Sequence, residues 1–135
     1  EFDPAVEALL HMLEDYEGRI KQATGALVLM GFSQGAALAF AAATREELEP
    51  TAIVSLAGFL PEGEYLDLNG VPVYWGHGVR DQLVPVEMAR EGVARLERFG
   101  ADVQYCEADV AHKIGLECAR GLKLWLTRRL APLGS

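Results

Sequence analysis

Four short apolar runs, at residues 26–30, 52–56, 71–75 and 103–106, constrain the fold of this chain more than any other feature. Each is nearly unbroken in its apolar character, which marks a strand covered on both faces rather than one with a solvated side. Pro72 falls near the start of the third run, where a strand tolerates it. Helical segments separate most of these runs. Residues 36–43 are alanine-rich enough to lie very close to a sheet. Pro85 opens a helix with Val86, Ala89, Val93 and Leu96 on one face, and Leu116, Ala119, Leu122 and Leu126 form one stripe of a last helix. Ahead of the first run, Asp3-Pro4 is an N-cap with proline at the first helical position. Val6, Leu9, Leu10, Leu13, Tyr16 and Ile20 then recur at helical spacing as far as Thr24-Gly25. The order α-β-α-β-β-α-β-α predicts about four parallel strands joined by right-handed crossovers, with helices on both faces. With 135 residues, half of them apolar, the chain supports one core, so a single α/β domain over 1–135 is expected.

Charge narrows the partners. A formal net charge of -8 and an isoelectric point near 4.8 give a negative field that repels phosphate backbones and anionic headgroups, so neither nucleic acid nor a membrane surface is expected as a partner. No apolar run reaches the roughly 18 residues of a spanning helix, and the first residues lack the pattern of a signal peptide. Cys106 and Cys118 are the only cysteines. In a domain of this size they suggest packed thiols, one in a strand and one in a helix, and a reducing, cytoplasmic setting. The chain opens Glu1-Phe2 without methionine, as a processed, excised or cloned product would.

The chemistry concentrates at Gly31-Phe32-Ser33-Gln34-Gly35, a G-x-S-x-G pattern placed between a strand and a helix. That context makes it a nucleophile elbow, in which glycines let the backbone bend sharply and leave the serine hydroxyl exposed at the strand's end. The helix that follows favours negative charge near Ser33, and the Gln34 backbone N–H is a natural oxyanion donor. The plain alternative is a glycine-rich turn with an N-cap serine. A serine hydroxyl is a weak nucleophile at neutral pH, so it needs a base in reach and a third group to hold that base. Elbow folds of this type carry the three in the order Ser, Asp or Glu, His, each after a strand. Of three histidines, His11 precedes the serine, and His77 follows the third strand but precedes its candidate acid. His112, in the loop after the fourth strand, fits the base. Asp81, in the loop after the third strand, fits the acid, with a turn aspartate as its plain alternative. Asp109 is its rival, although a position three residues before His112 suits a local turn better. No His, Cys or carboxylate cluster has metal-ligand spacing, so no metal or other cofactor is expected.

These residues resemble the phospholipase/carboxylesterase group of α/β-hydrolases, which includes bacterial carboxylesterases and acyl-protein thioesterases. The likeness runs through residues 31–36 at the serine elbow, Ala57-Gly58-Phe59-Leu60-Pro61 after the next strand, and His77-Gly78 through Asp81 to Val84-Pro85 around the acid. The resemblance implies a partial α/β-hydrolase fold with a Ser33, Asp81 and His112 triad, and it makes His77 a structural loop residue. It implies hydrolysis of acyl esters or thioesters through an acyl-enzyme. Residues 58–70 are too few for a sizeable cap domain, so an open site is expected, with Phe59, Leu60 and Leu83 as acyl-side contacts and short to medium acyl chains as substrates. Two departures stand out: Ala111 replaces the glycine common before the base, and the family's earlier strands, with the loop that donates the second oxyanion N–H, have no counterpart. One lost donor costs on the order of 10²–10³ in rate, about 3–4 kcal/mol. The alternative is therefore a non-catalytic module that keeps the hydrolase half-fold. The same departure predicts that strand 26–30 is an open edge, covered by a missing N-terminal fragment or by a second copy in a homodimer.

Overall fold

The computed structural model describes residues 27–45, 49–61, 68 and 70–130. Within them lie β1 (Val28–Phe32), α1 (Gln34–Ala43), β2 (Ala52–Leu56), β3 (Val73–Gly78), α2 (Val86–Arg98), β4 (Val103–Ala108) and α3 (Leu116–Arg129). The helix expected over 3–24, with His11 in it, lies outside the described residues.

The strands form one parallel sheet in the order β1-β2-β3-β4. Successive parallel neighbours require crossovers, and the side chains alternate to serve both of the faces so covered. On one face Ile53, Val73 and Trp75 pack with Phe40 of α1 and with Ala89, Val93 and Leu96 of α2. On the other, Ala52, Val54 and Tyr74 pack with Leu122 and Trp125 of α3. Both faces of the sheet are therefore helix-covered, as continuous apolar strands demand. The alanines of α1 let it settle against the sheet, with Ala36, Ala37, Ala39 and Ala42 buried. α3 approaches closely for a different reason. Tyr74 donates its hydroxyl to the Cys118 carbonyl at 2.8 Å, and a Cβ on Gly121 would come within 2.7 Å of that hydroxyl oxygen.

Three strands differ from the sequence reading. β1 runs over Val28–Phe32 rather than 26–30, β3 over Val73–Gly78 rather than 71–75, and β4 over Val103–Ala108 rather than 103–106. An apolar run ends where glycine and histidine begin, but a ladder ends only where pairing does. Gly76, His77 and Gly78 remain in register with Cys106, Glu107 and Ala108, so the glycine-rich stretch read as a loop is strand. His77 is therefore a buried strand residue.

The reading of the cysteines as packed thiols is corrected. Cys106 and Cys118 form a disulfide, with Cα atoms 5.7 Å apart. The turn after β4 folds α3 back over the sheet, which brings two residues twelve apart in sequence face to face. Spacing alone does not reveal a pairing made by a crossover. With both cysteines paired, their thiols give no ground for expecting a reducing compartment. Among the described residues, no helix is long and apolar enough to cross a membrane, and no group of His, Cys, Asp and Glu could hold a metal ion.

Candidate active site

Ser33, Asp81 and His112 follow the C-terminal ends of β1, β3 and β4 by one, three and four residues, so the parallel sheet delivers all three to one rim. Ser33 stands at φ 57° and ψ -118°, a conformation that costs a non-glycine residue of order 1–3 kcal/mol. The surroundings hold it there. Its N–H donates to the Leu56 carbonyl at 2.9 Å, and its carbonyl accepts from Ala36 N–H at 3.0 Å. Gly31 is required in this bend, because a Cβ there would run into the Gly35 carbonyl. Ser33 occupies the N-cap position of α1, but its side chain makes no capping hydrogen bond to that helix. Its hydroxyl instead lies 3.1 Å from His112 Nε2.

The far side of the imidazole meets Asp81, with Nδ1 and Oδ2 2.7 Å apart. The other oxygen, Oδ1, accepts the backbone N–H groups of Leu83 at 2.9 Å and Val84 at 2.8 Å. Asp81 is buried. Burial by itself pushes its carboxyl up. The Val84 amide, the His112 imidazole and the Leu83 amide outweigh that and hold the group below its ordinary value, so it stays ionised. With the carboxylate accepting, Nδ1 carries the ring proton and Nε2 is left with a lone pair facing the serine.

The loops bearing acid and base are tied together. Val79 N–H donates to the Ala108 carbonyl at 2.9 Å and Arg80 N–H to the Val110 carbonyl at 3.0 Å. A Cβ on Gly78 would strike the carbonyls of Val110 and Ala111, so only glycine permits this approach. Asp109, the rival acid, is engaged by Arg80: its carboxylate accepts from Arg80 Nε at 2.7 Å and its carbonyl from Arg80 Nη2 at 2.8 Å. Gln34 is the first residue of α1, directly after Ser33, and no acidic side chain occupies the first turn of that helix. Leu83 is 74% exposed beside the acid, whereas Leu60 is half-buried and packs against the core under α2. Phe59 is half-buried in the segment after β2.

Three contributors escaped the sequence reading. The Phe32 ring packs against the His112 ring, with centroids 4.9 Å apart. The Leu83 and Val84 amides grip the acid. His77 lies beneath the same turn, with its Nε2 2.7 Å from the Val84 carbonyl. Phe32 in the serine elbow, and His77 and Val84 in the motif around the acid, were marked by pattern in the sequence, but these contacts were not.

A sequence model of the phospholipase/carboxylesterase family matches residues 6–124. No curated protein matches the chain. Among solved structures it is similar to esterase PE8, at 25% identity and a TM-score of 0.85, with 96% of this chain and 62% of that one covered. The Bacillus cereus carboxylesterase stands at 21% identity and a TM-score of 0.84, with 96% and 62% covered. Zea mays acyl-protein thioesterase 2 stands at 20% and 0.75, with 93% and 66% covered. The chain thus spans 62–66% of the length of these structures.

Proposed function

Since the chain belongs to the phospholipase/carboxylesterase family, we propose that it is a serine hydrolase that cleaves carboxylic esters or thioesters of short to medium acyl chains. Ser33 Oγ attacks the acyl carbon while His112 Nε2 takes its proton, and the Asp81 carboxylate stabilises the imidazolium that forms. The Gln34 N–H stabilises the oxyanion of the tetrahedral intermediate. As the intermediate collapses, the alcohol or thiol leaves with the proton from His112, and the acyl group stays on Ser33. Water then enters by the same route, with His112 again as base, and releases the acid. Leu83 and the half-buried Phe59 and Leu60 are the acyl-side contacts of this reading.

The observation that carries the proposal is the continuous chain from Asp81 Oδ2 through both nitrogens of His112 to Ser33 Oγ, at 2.7 Å and 3.1 Å. A serine that merely stabilised a turn would have no need of a base whose tautomer is set by a buried carboxylate. The test is hydrolysis of p-nitrophenyl esters across acyl lengths, together with labelling by a fluorophosphonate. Wild type should turn over and label, and Ser33→Ala should do neither. A wild type that neither labels nor turns over would instead favour a non-catalytic module, since the described residues supply Gln34 as oxyanion donor without an evident second.

The same reading extends to assembly. Among the described residues β1 pairs with β2 alone, and Met30 and Phe32 on it are 51% and 46% exposed. A second copy of the chain, or a further segment of a longer protein, covers that edge in this proposal. A clean monomeric mass by sedimentation for the 135-residue chain alone, from a preparation that retains full activity, would overturn it.

A further inference from the structure

His77 lies on β3 at 2% exposure, outside the three-residue relay, yet it hydrogen-bonds on both sides of its ring. Its Nδ1 lies 3.4 Å from the Trp75 indole nitrogen, and its Nε2 lies 2.7 Å from the Val84 carbonyl oxygen. An indole N–H can only donate, so Nδ1 must accept, and the ring proton sits on Nε2. A carbonyl can only accept, so that proton points at Val84. The two neighbours therefore demand the same tautomer.

Val84 is also a residue whose amide holds Asp81. Its N–H donates to Asp81 Oδ1 at 2.8 Å while its carbonyl accepts from His77, so the residue is pinned from both ends. After burial, which pushes the Asp81 carboxyl up, the Val84 amide is the strongest of the influences that pull it down. Asp81 Oδ2 is itself only 3.7 Å from His77 Nε2. Were the His77 proton to turn there, it would compete with His112 for the oxygen that orients the base. The Val84 carbonyl, at 2.7 Å, takes the proton first.

We propose that His77 is a positioning residue for the acid: its Nε2–H holds the 81–84 turn through the Val84 carbonyl and so keeps Asp81 Oδ2 committed to His112. This rests on the hydrolase reading above, and its test separates the two. In His77→Gln the side-chain amide can reach the Nε2 position and donate to Val84. In His77→Asn it reaches only the Nδ1 position, and the Val84 contact is lost.

The Asn variant should lose about 10²-fold in kcat with KM little changed, the size of effect expected when a reacting group is misplaced by about 1 Å. The Gln variant should restore most of that loss. Rates are taken per folded molecule by circular dichroism. The low-field proton resonance of His112 Nδ1–H should persist in wild type and Gln and vanish in Asn. Equal kcat in Asn and wild type, or equal losses in Asn and Gln, would overturn the assignment. In wild type, which needs no variant to fold, ¹⁵N NMR should find His77 as the Nε2–H tautomer, and the opposite tautomer would also overturn it. If Ser33→Ala hydrolyses esters as well as wild type, the hydrolase reading fails, while the tautomer and the His112 resonance still decide the role of His77.

Discussion

Asp81→Asn should abolish most turnover while leaving the fold intact, because the structure dictates which end of the new amide faces which neighbour. Oδ1 of Asp81 accepts two backbone N–H groups, from Leu83 and Val84. An asparagine must place its carbonyl oxygen there, since the opposite orientation would set an NH₂ against two donors and leave those amides without partners, at about 1–3 kcal/mol each. The NH₂ then faces His112 Nδ1, 2.7 Å from Oδ2 in wild type. The imidazole must accept there and carry its proton on Nε2, where it points at Ser33 and can no longer remove the hydroxyl proton. A tautomer error of this kind lowers kcat about 10⁴-fold, which corresponds to roughly 5 kcal/mol of transition-state stabilisation. Asp81→Ala is the contrasting case: it strands both amides, so it should lose roughly 2–5 kcal/mol of stability as well as activity. The assay pairs ester turnover with thermal unfolding. An Asn variant within tenfold of wild-type kcat, or one destabilised as much as the Ala variant, would refute the reasoning.

Three further outcomes follow from contacts around the site. Replacing both cysteines with alanine opens the loop closed by the Cys106–Cys118 disulfide, at a cost of about 3 kcal/mol and roughly 10 °C in Tm by calorimetry; an unchanged Tm would show that the bridge restrains nothing. Gly78→Ala should push the base loop away by colliding with the carbonyls of Val110 and Ala111. Fluorophosphonate labelling of Ser33 should then slow about 10²-fold, and labelling at the wild-type rate would contradict that contact. Glu107 is held at about 2, against an ordinary 4.5, with the Arg90 hydrogen bond the largest influence. A depressed carboxyl stabilises the fold fully above its unfolded value and loses that contribution as pH falls through the folded one. The Tm deficit of Glu107→Gln should therefore be greatest near neutrality and close as the pH approaches 2, and a deficit independent of pH would exclude this ion pair as its source.

The parallel architecture was legible because apolar runs read through a strand's local environment, and two-faced burial leaves an unbroken signature. Ala52–Leu56 is such a strand, and its bounds match the reading. Strand ends were less legible. The end of β3 contains Gly76, His77 and Gly78, whose place in the ladder is set by β4, a separate stretch of chain. In the same way Asp81 and Asp109 were separable in sequence only by preference. Arg80 occupies Asp109 in the folded chain, and the 81–84 turn aims Asp81 at the imidazole.

By itself, the sequence determined the kinds of groups present and the side of the sheet they reach, since a serine, an aspartate and a histidine following parallel strands must arrive at one rim. Tertiary structure alone decided which atoms meet: Oδ2 rather than Oδ1 on His112, the buried His77 on Val84, and Cys106 on Cys118. The physical reason is range. Strand and helix patterns arise from neighbours a few residues apart, whereas a hydrogen bond of 2.7 Å between residues 81 and 112 depends on how two crossovers pack, which no local pattern encodes.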